Sequence, residues 1–158
     1  MTRAAIRTTY NGVRFRSRLE AKWACVFDRL GWRWEYEPFD LDGYIPDFIL
    51  LGADPVLVEV KPAVSTGKLD DAKPKIERSG WNHDALIVGG SLRPYISESY
   101  GAYLAHWYPL IGLLGQYGDE ATSDGHEWGY GLAHTCRECG RPSFHHDHQT
   151  WRSRVCGH

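Results

Sequence analysis

Between the turn Gly52-Ala53-Asp54-Pro55 and Pro62 runs Val56-Leu57-Val58-Glu59-Val60-Lys61, an apolar stretch of strand length that carries two charges. Side chains alternate along a strand, so Val56, Val58 and Val60 share one face and Leu57, Glu59 and Lys61 the other. Sheets in α/β folds are covered on both faces, where each ion loses hydration worth several kcal/mol unless it is paired or metal-bound. An edge strand with its charged face in water, or a plain Glu-Lys pair, satisfies the same pattern.

Two further acids sit in apolar surroundings. Asp47 lies inside Tyr44-Ile45-Pro46-Asp47-Phe48-Ile49-Leu50, and in a meander that strand neighbours the Glu59 strand. Adjacent carboxylates repel unless a hard dication lies between them, and Mg²⁺ suits the pattern because it takes one or two protein carboxylates with waters and phosphate oxygens. Glu20 shares the face of Trp23 and Phe27 at i+3 and i+7, which points it toward the sheet. Its alternative is a boundary glutamate paired with Arg16 or Lys22.

The elements that would carry these residues are readable over the first ninety positions. Leu19, Trp23, Val26, Phe27 and Leu30 recur at helical spacing between a Ser17 cap and a Gly31 stop, which predicts a helix from Arg16 to Leu30. Trp32, Trp34 and Tyr36 alternate with charges and predict a half-buried strand ended by Pro38; Tyr44 to Leu51 is a second strand and Val56 to Lys61 a third. A short helix from Lys73 to Arg78 and a central strand Ala85-Leu86-Ile87-Val88, reached by a crossover, complete an α/β order. Tyr100 to Leu114 is apolar but broken by Pro109 and Gly112, and 115–131 is rich in glycine and acid; neither receives an assignment.

At this point the residues resemble a known family. Pro46-Asp47, with Glu59-Val60-Lys61 twelve residues on, is similar to the PD…EXK signature of the PD-(D/E)XK nuclease superfamily, and helical Glu20 matches an upstream acid of many members. Within it, Ser17-Arg18-Leu19-Glu20 before Pro46-Asp47-Phe48 resembles small phage-encoded nucleases and the endonuclease subunit of heteromeric transposases. The resemblance covers residues 12–90. It implies a restriction-endonuclease-like α/β core with a mixed central sheet flanked by helices. It also implies a DNA substrate, Mg²⁺ or Mn²⁺ on Asp47 and Glu59, and the Val60 carbonyl as a further ligand. Lys61 would orient or help deprotonate the attacking water or stabilise the phosphorane, and Glu20 would complete the metal site or hold a metal-bound water. The expected products are 5′-phosphate and 3′-hydroxyl ends.

The chain has 158 residues, enough for one main domain and a small appendage. From Cys136 the composition shifts to Cys, His and Arg, which suggests domains at 1–132 and 133–158. Cys136-Arg137-Glu138-Cys139-Gly140 is a C-x₂-C knuckle, and Cys156 supplies a third thiolate. The tail resembles a zinc ribbon in which Ser153 takes the place of the fourth cysteine. A structural Zn²⁺ then needs a histidine: His158, or His145 or His146. Arg141, Arg152 and Arg154 would contact phosphates or solvent. Cys25, alone on the first helix, is expected as a small core residue.

The formal net charge of −2 weighs against a polyanion partner, but residues 1–33 hold eight arginines and lysines against Glu20 and Asp28, a candidate basic patch. No apolar run of about 18 residues predicts a membrane span, and the absence of a secretory stretch predicts a soluble, cytoplasmic protein with reduced cysteines. A homodimer is one way to cut both strands. The competing expectations are a non-catalytic DNA-binding or assembly subunit that keeps the fold and a structural zinc, and a catalytic centre in the histidine-rich tail.

Overall fold

The computed structural model describes residues 4–63, 66–90, 110–118, 125–148 and 153–157. It is α/β, with one mixed sheet and few helices. A two-residue turn at Asn11-Gly12, both with positive φ, joins β1 (Thr8–Tyr10) to β2 (Val13–Phe15) in a small hairpin. Then come α1 (Arg18–Arg29), β3 (Arg33–Tyr36), β4 (Phe48–Leu51) and β5 (Val56–Val60). The crossover consists of α2 (Thr66–Leu69), a 3₁₀ turn at Asp70–Ala72 and α3 (Lys73–Arg78), and leads to β6 (Ala85–Val88). The chain continues through β7 (Leu110–Tyr117), β8 (His126–Thr135) and β9 (Pro142–His146).

The seven strands β3 to β9 stand in sequence order, and only the β5–β6 pair is parallel. A parallel neighbour demands a crossover, which α2, the 3₁₀ turn and α3 provide; Pro74 is tolerated because it falls in the first turn of α3. The alternation expected in β5 is present. Val56, Val58 and Val60 join Trp23 and Phe27 of α1 on one face, while Leu57 joins Leu69, Ala72 and Ile76 on the other. Phe27 meets Phe48 edge-on at 5.4 Å, so helix and sheet interlock through aromatic rings. No helix among the described residues is long and apolar enough to cross a membrane.

Two differences from the expected elements matter for the site. The strand expected from Tyr44 begins at Phe48, because Pro46 has no N–H for a ladder; Tyr44 to Asp47 instead lead into the end of the sheet. The boundary expected at 132/133 falls inside β8, and β9 closes the same sheet. The last described segment is bound to that sheet too. The Arg154 N–H donates to the Phe144 carbonyl at 2.9 Å and the Ala53 N–H to the Val155 carbonyl at 3.1 Å.

Arg154 carries the strongest of these ties. It is buried, its Nε lies 2.6 Å from Asp84 Oδ2, and its Nη2 donates to Gln116 Oε1 at 2.8 Å. A phosphate-contacting role for Arg154 is thereby replaced by an internal ion pair, and Arg152 lies outside the described residues. Removing one partner of a buried pair strands the other charge. Arg154→Ala is therefore expected to cost about 3–5 kcal/mol in urea unfolding, whereas Arg141→Ala, at an exposed position, should fall within about 0.5 kcal/mol of the parent.

Candidate functional site

The register of β4 and β5 opposes Phe48 to Val58, so the next residues along each chain, Asp47 and Glu59, face each other where the ladder ends. Asp47 is tied to β5 directly, because its Oδ2 accepts the Val60 N–H at 2.7 Å. Glu20 arrives from the other layer. Ser17 caps α1 by accepting the Glu20 N–H at 3.2 Å, and Glu20 Oε2 reaches back to accept the Arg16 N–H at 3.2 Å, a reciprocal cap displaced by one residue. Asp47, Glu59 and Glu20 are 5 %, 4 % and 8 % exposed, so all three acids have left water.

Protein groups compensate part of that loss. Arg16 Nη2 lies 2.7 Å from Asp47 Oδ1, while its Nε pairs with Glu37 Oε1 at 2.7 Å. The Tyr36 hydroxyl donates to Glu20 Oε2 at 2.6 Å and the Tyr44 hydroxyl to Glu59 Oε2 at 2.7 Å. Glu59 Oε1 meets two cations, Lys75 Nζ at 3.1 Å and Lys61 Nζ at 3.4 Å. Lys75 also stands over the Tyr44 ring at 5.0 Å.

The electrostatics follow from this crowding. Burial, and after it the charge of Glu59, push the Asp47 carboxyl up to about 7; the Val60 N–H and Arg16 pull the other way, and Glu20 adds to the rise. Burial and the bond to Glu20 raise the Tyr36 hydroxyl to about 12, and burial with the Glu59 charge raises Tyr44, so both phenols stay protonated donors. Asp47 thus sits where a proton and a cation compete for its lone pairs near neutral pH.

The structure brings Glu20, Asp47, Glu59 and Lys61 to one end of the sheet. The sequence does not reveal Tyr36, Tyr44 and Lys75 there; of the alternative partners it offers Glu20, Arg16 reaches it through its backbone N–H, while the Arg16 side chain goes to Asp47. Tyr44 stands three residues before Asp47, and Lys75 is placed by the crossover. Two buried carboxylates facing each other, one of them with its proton affinity raised by the other's charge, are a donor set suited to a hard dication.

A different donor set lies at the C-terminal end. The ligand atoms of Cys136, Cys139 and Cys156 lie within 4.8 Å of one another and could hold a metal, the chemistry of three soft thiolates being consistent with zinc. Each thiolate turn closes the same way: the Gly140 N–H donates to the Cys136 carbonyl at 2.8 Å and the Gly157 N–H to the Ser153 carbonyl at 2.9 Å. Ser153 therefore occupies the first corner of a second knuckle. Its hydroxyl is 2.7 Å from His134 Nε2, and His134 Nδ1 is 2.8 Å from His145 Nδ1. His145 and His146 are not gathered with the cysteines: His145 faces His134, and His146 groups with Asp147 and His148. His158 lies outside the described residues. Among the described residues Glu20, Asp47 and Glu59 do not form a third set as tight as these two.

No family model, no curated protein and no solved structure matches the chain.

The raised Asp47 carboxyl has a measurable consequence. In the unfolded chain it titrates at about 4; in the fold it titrates at about 7. The folded state thus holds the proton more tightly, so this group's contribution to stability is complete below about 4 and is lost as pH rises to about 7. In EDTA, Asp47→Asn should flatten the fall of Tm between those pH values relative to the parent; parallel curves would exclude the shift.

Proposed function

We propose that the chain is a metal-dependent deoxyribonuclease of the PD-(D/E)XK kind, built on a restriction-endonuclease-like core and acting inside a cell, where its thiolates stay reduced. The observation that supports this best is the pairing of Asp47 with Glu59: one acid at the entry to β4 and one on the neighbouring β5, both out of water, with the Asp47 carboxyl lifted to about 7 partly by the Glu59 charge. A protein that needed only a structural ion pair at this point would have one acid and one base; here three buried acids meet Arg16, Lys61 and Lys75, none of which is itself buried.

Asp47 and Glu59 would hold the Mg²⁺ or Mn²⁺, with Glu20, itself fixed by Tyr36, positioned to complete the site or hold a metal-bound water. The metal, when bound, supplies positive charge that eases deprotonation of water and offsets charge on the phosphate. Lys61 and Lys75, both against Glu59 Oε1, would orient the attacking water and neutralise the phosphate oxygens as charge builds. The water oxygen bonds to phosphorus, the 3′ oxygen leaves with a proton, and the ends are 5′-phosphate and 3′-hydroxyl. Exposed Arg14, Arg16 and Arg18 flank the same end and would meet the DNA backbone. Cys136, Cys139 and Cys156, with one further donor, would hold a structural Zn²⁺.

The test is incubation of the purified chain with supercoiled plasmid and with linear duplex, in Mg²⁺, Mn²⁺ or EDTA. Cleavage should require the metal, fall to background in Asp47→Asn and Glu59→Gln, and drop about 10²- to 10⁴-fold in Lys61→Ala. DNA that is bound but never cut would leave the non-catalytic binding or assembly reading in its place.

A further inference from the structure

Toward the opposite edge of the sheet from Asp47, three donors meet over a strand position that lacks a side chain. Gly129 lies in the middle of β8. A Cβ built on it would stand 2.6 Å from His146 Nε2 and against Asp147 Oδ1, so only glycine leaves the space in which these two groups face each other. His146 is fully buried, and its Nε2 has no hydrogen-bond partner among the described residues. Its Nδ1 accepts the His148 N–H at 3.1 Å and lies 3.3 Å from Asp147 Oδ1, so Nε2 is the ring nitrogen left without a protein partner. A cation bound at Nε2 takes the place of the proton there, and the ring then carries its proton on Nδ1, beside Asp147 Oδ1.

The neighbouring groups are arranged to supply the rest. Asp147 is oriented from below, since its Oδ1 accepts the Tyr130 N–H at 3.1 Å. Its other oxygen, Oδ2, is 3.9 Å from His148 Nε2. Two tetrahedral ligands each about 2.1 Å from a zinc-like ion stand roughly 3.4 Å apart, so a movement of about half an ångström brings this pair to ligating distance. His148 is on the surface and free to make that movement. Glu127 Oε1 lies 3.1 Å from His148 Nδ1. A carboxylate on the outer nitrogen fixes the ring and directs the lone pair of Nε2 toward Asp147, the outer-shell support that imidazole ligands of metals ordinarily have. Ligand atoms of His146, Asp147 and His148 all lie within 4.8 Å.

We propose that His146, Asp147 and His148, oriented by Glu127 and given room by Gly129, form a second metal site, separate from the cysteine turns and from Asp47 and Glu59. Two imidazoles and one carboxylate select a late first-row dication, Zn²⁺ or Co²⁺, over Mg²⁺. Three protein ligands leave a fourth position, and it faces a groove of about 330 Å³ that Asp147 and His148 line together with Trp128 and Lys73. The fourth ligand is therefore exchangeable, water or a small anion from that groove.

The assignment is independent of the nuclease reading, and so is its test. The full chain, stripped of metal under reducing conditions, is titrated with Co²⁺. The cysteine cluster is recognised by its thiolate-to-cobalt charge-transfer band, and the proposed site by the intense d–d absorption of four-coordinate cobalt without such a band, which a six-coordinate oxygen site at Asp47 and Glu59 would lack. The native chain should bind one equivalent with that intense absorption and no thiolate signature, whatever the cysteines and the acids bind. His148→Ala, at an exposed side chain that leaves the fold intact, and Asp147→Asn should each lose that equivalent and keep any thiolate band. Gly129→Ala should lose it by filling the space. A native chain whose bound Co²⁺ is all thiolate-ligated, or a nitrogen–oxygen equivalent that survives both His148→Ala and Asp147→Asn, overturns the proposal.

Discussion

Burial of three carboxylates at one end of the sheet is the constraint to which the surrounding structure answers. Asp47, Glu59 and Glu20 arrive just before β4, on β5 and on α1, and no single element could satisfy them. The residue before the Ser17 cap gives Arg16 to Asp47, the loop before β4 gives Tyr44 to Glu59, β3 gives Tyr36 to Glu20, and the crossover helix gives Lys75 to Glu59. Desolvation of isolated ions would exceed the stability of a domain this size, so these donors and the packing of both layers are tied to one another. The compensation is also incomplete. Asp47 remains near 7, a state that a fold selected for stability alone would avoid by an apolar residue or a stronger pair.

The acids and the strands that hold them were legible because both signals are local. A charge in a run of β-branched residues is visible without any neighbour, and alternation in Val56 to Val60 assigns faces that the two core clusters reproduce. The helical periodicity around Trp23 and Phe27 and the Ser17 cap likewise need only a few residues of context. The partners were hidden because they depend on pairing. Lys75 reaches Glu59 only through the crossover, and Tyr36 reaches Glu20 only once β3 lies under the start of α1.

The second half of the sheet was unreadable for a related reason. β7 and β8 are rich in glycine, which weakens any strand propensity, yet Gly115 lies opposite Trp128, whose ring covers it within 3 Å of where a Cβ would stand. Glycine and tryptophan there act as one packed unit across two strands, whereas the glycine read alone argues against a strand. The same holds for Gly129: as a single letter it marks a weak strand, and its meaning appears only when His146 and Asp147 are seen above it.

These pairings also explain why a cysteine-bearing tail is fused to the sheet rather than hung from it. β9 extends the sheet, Trp32 Nε1 donates to the Pro142 carbonyl at 2.8 Å, and Gly52 lets the Val155 carbonyl approach the β4–β5 turn. The buried Arg154–Asp84 pair then links the last described segment to the start of β6, the strand parallel to the one that carries Glu59. Closing the cysteine turns therefore restrains the edge of the sheet opposite the acids without touching them. The hydrogen-bonded ladder runs from that edge through β6 to β5, the strand that carries Glu59, so the cysteine turns and the acids belong to one sheet.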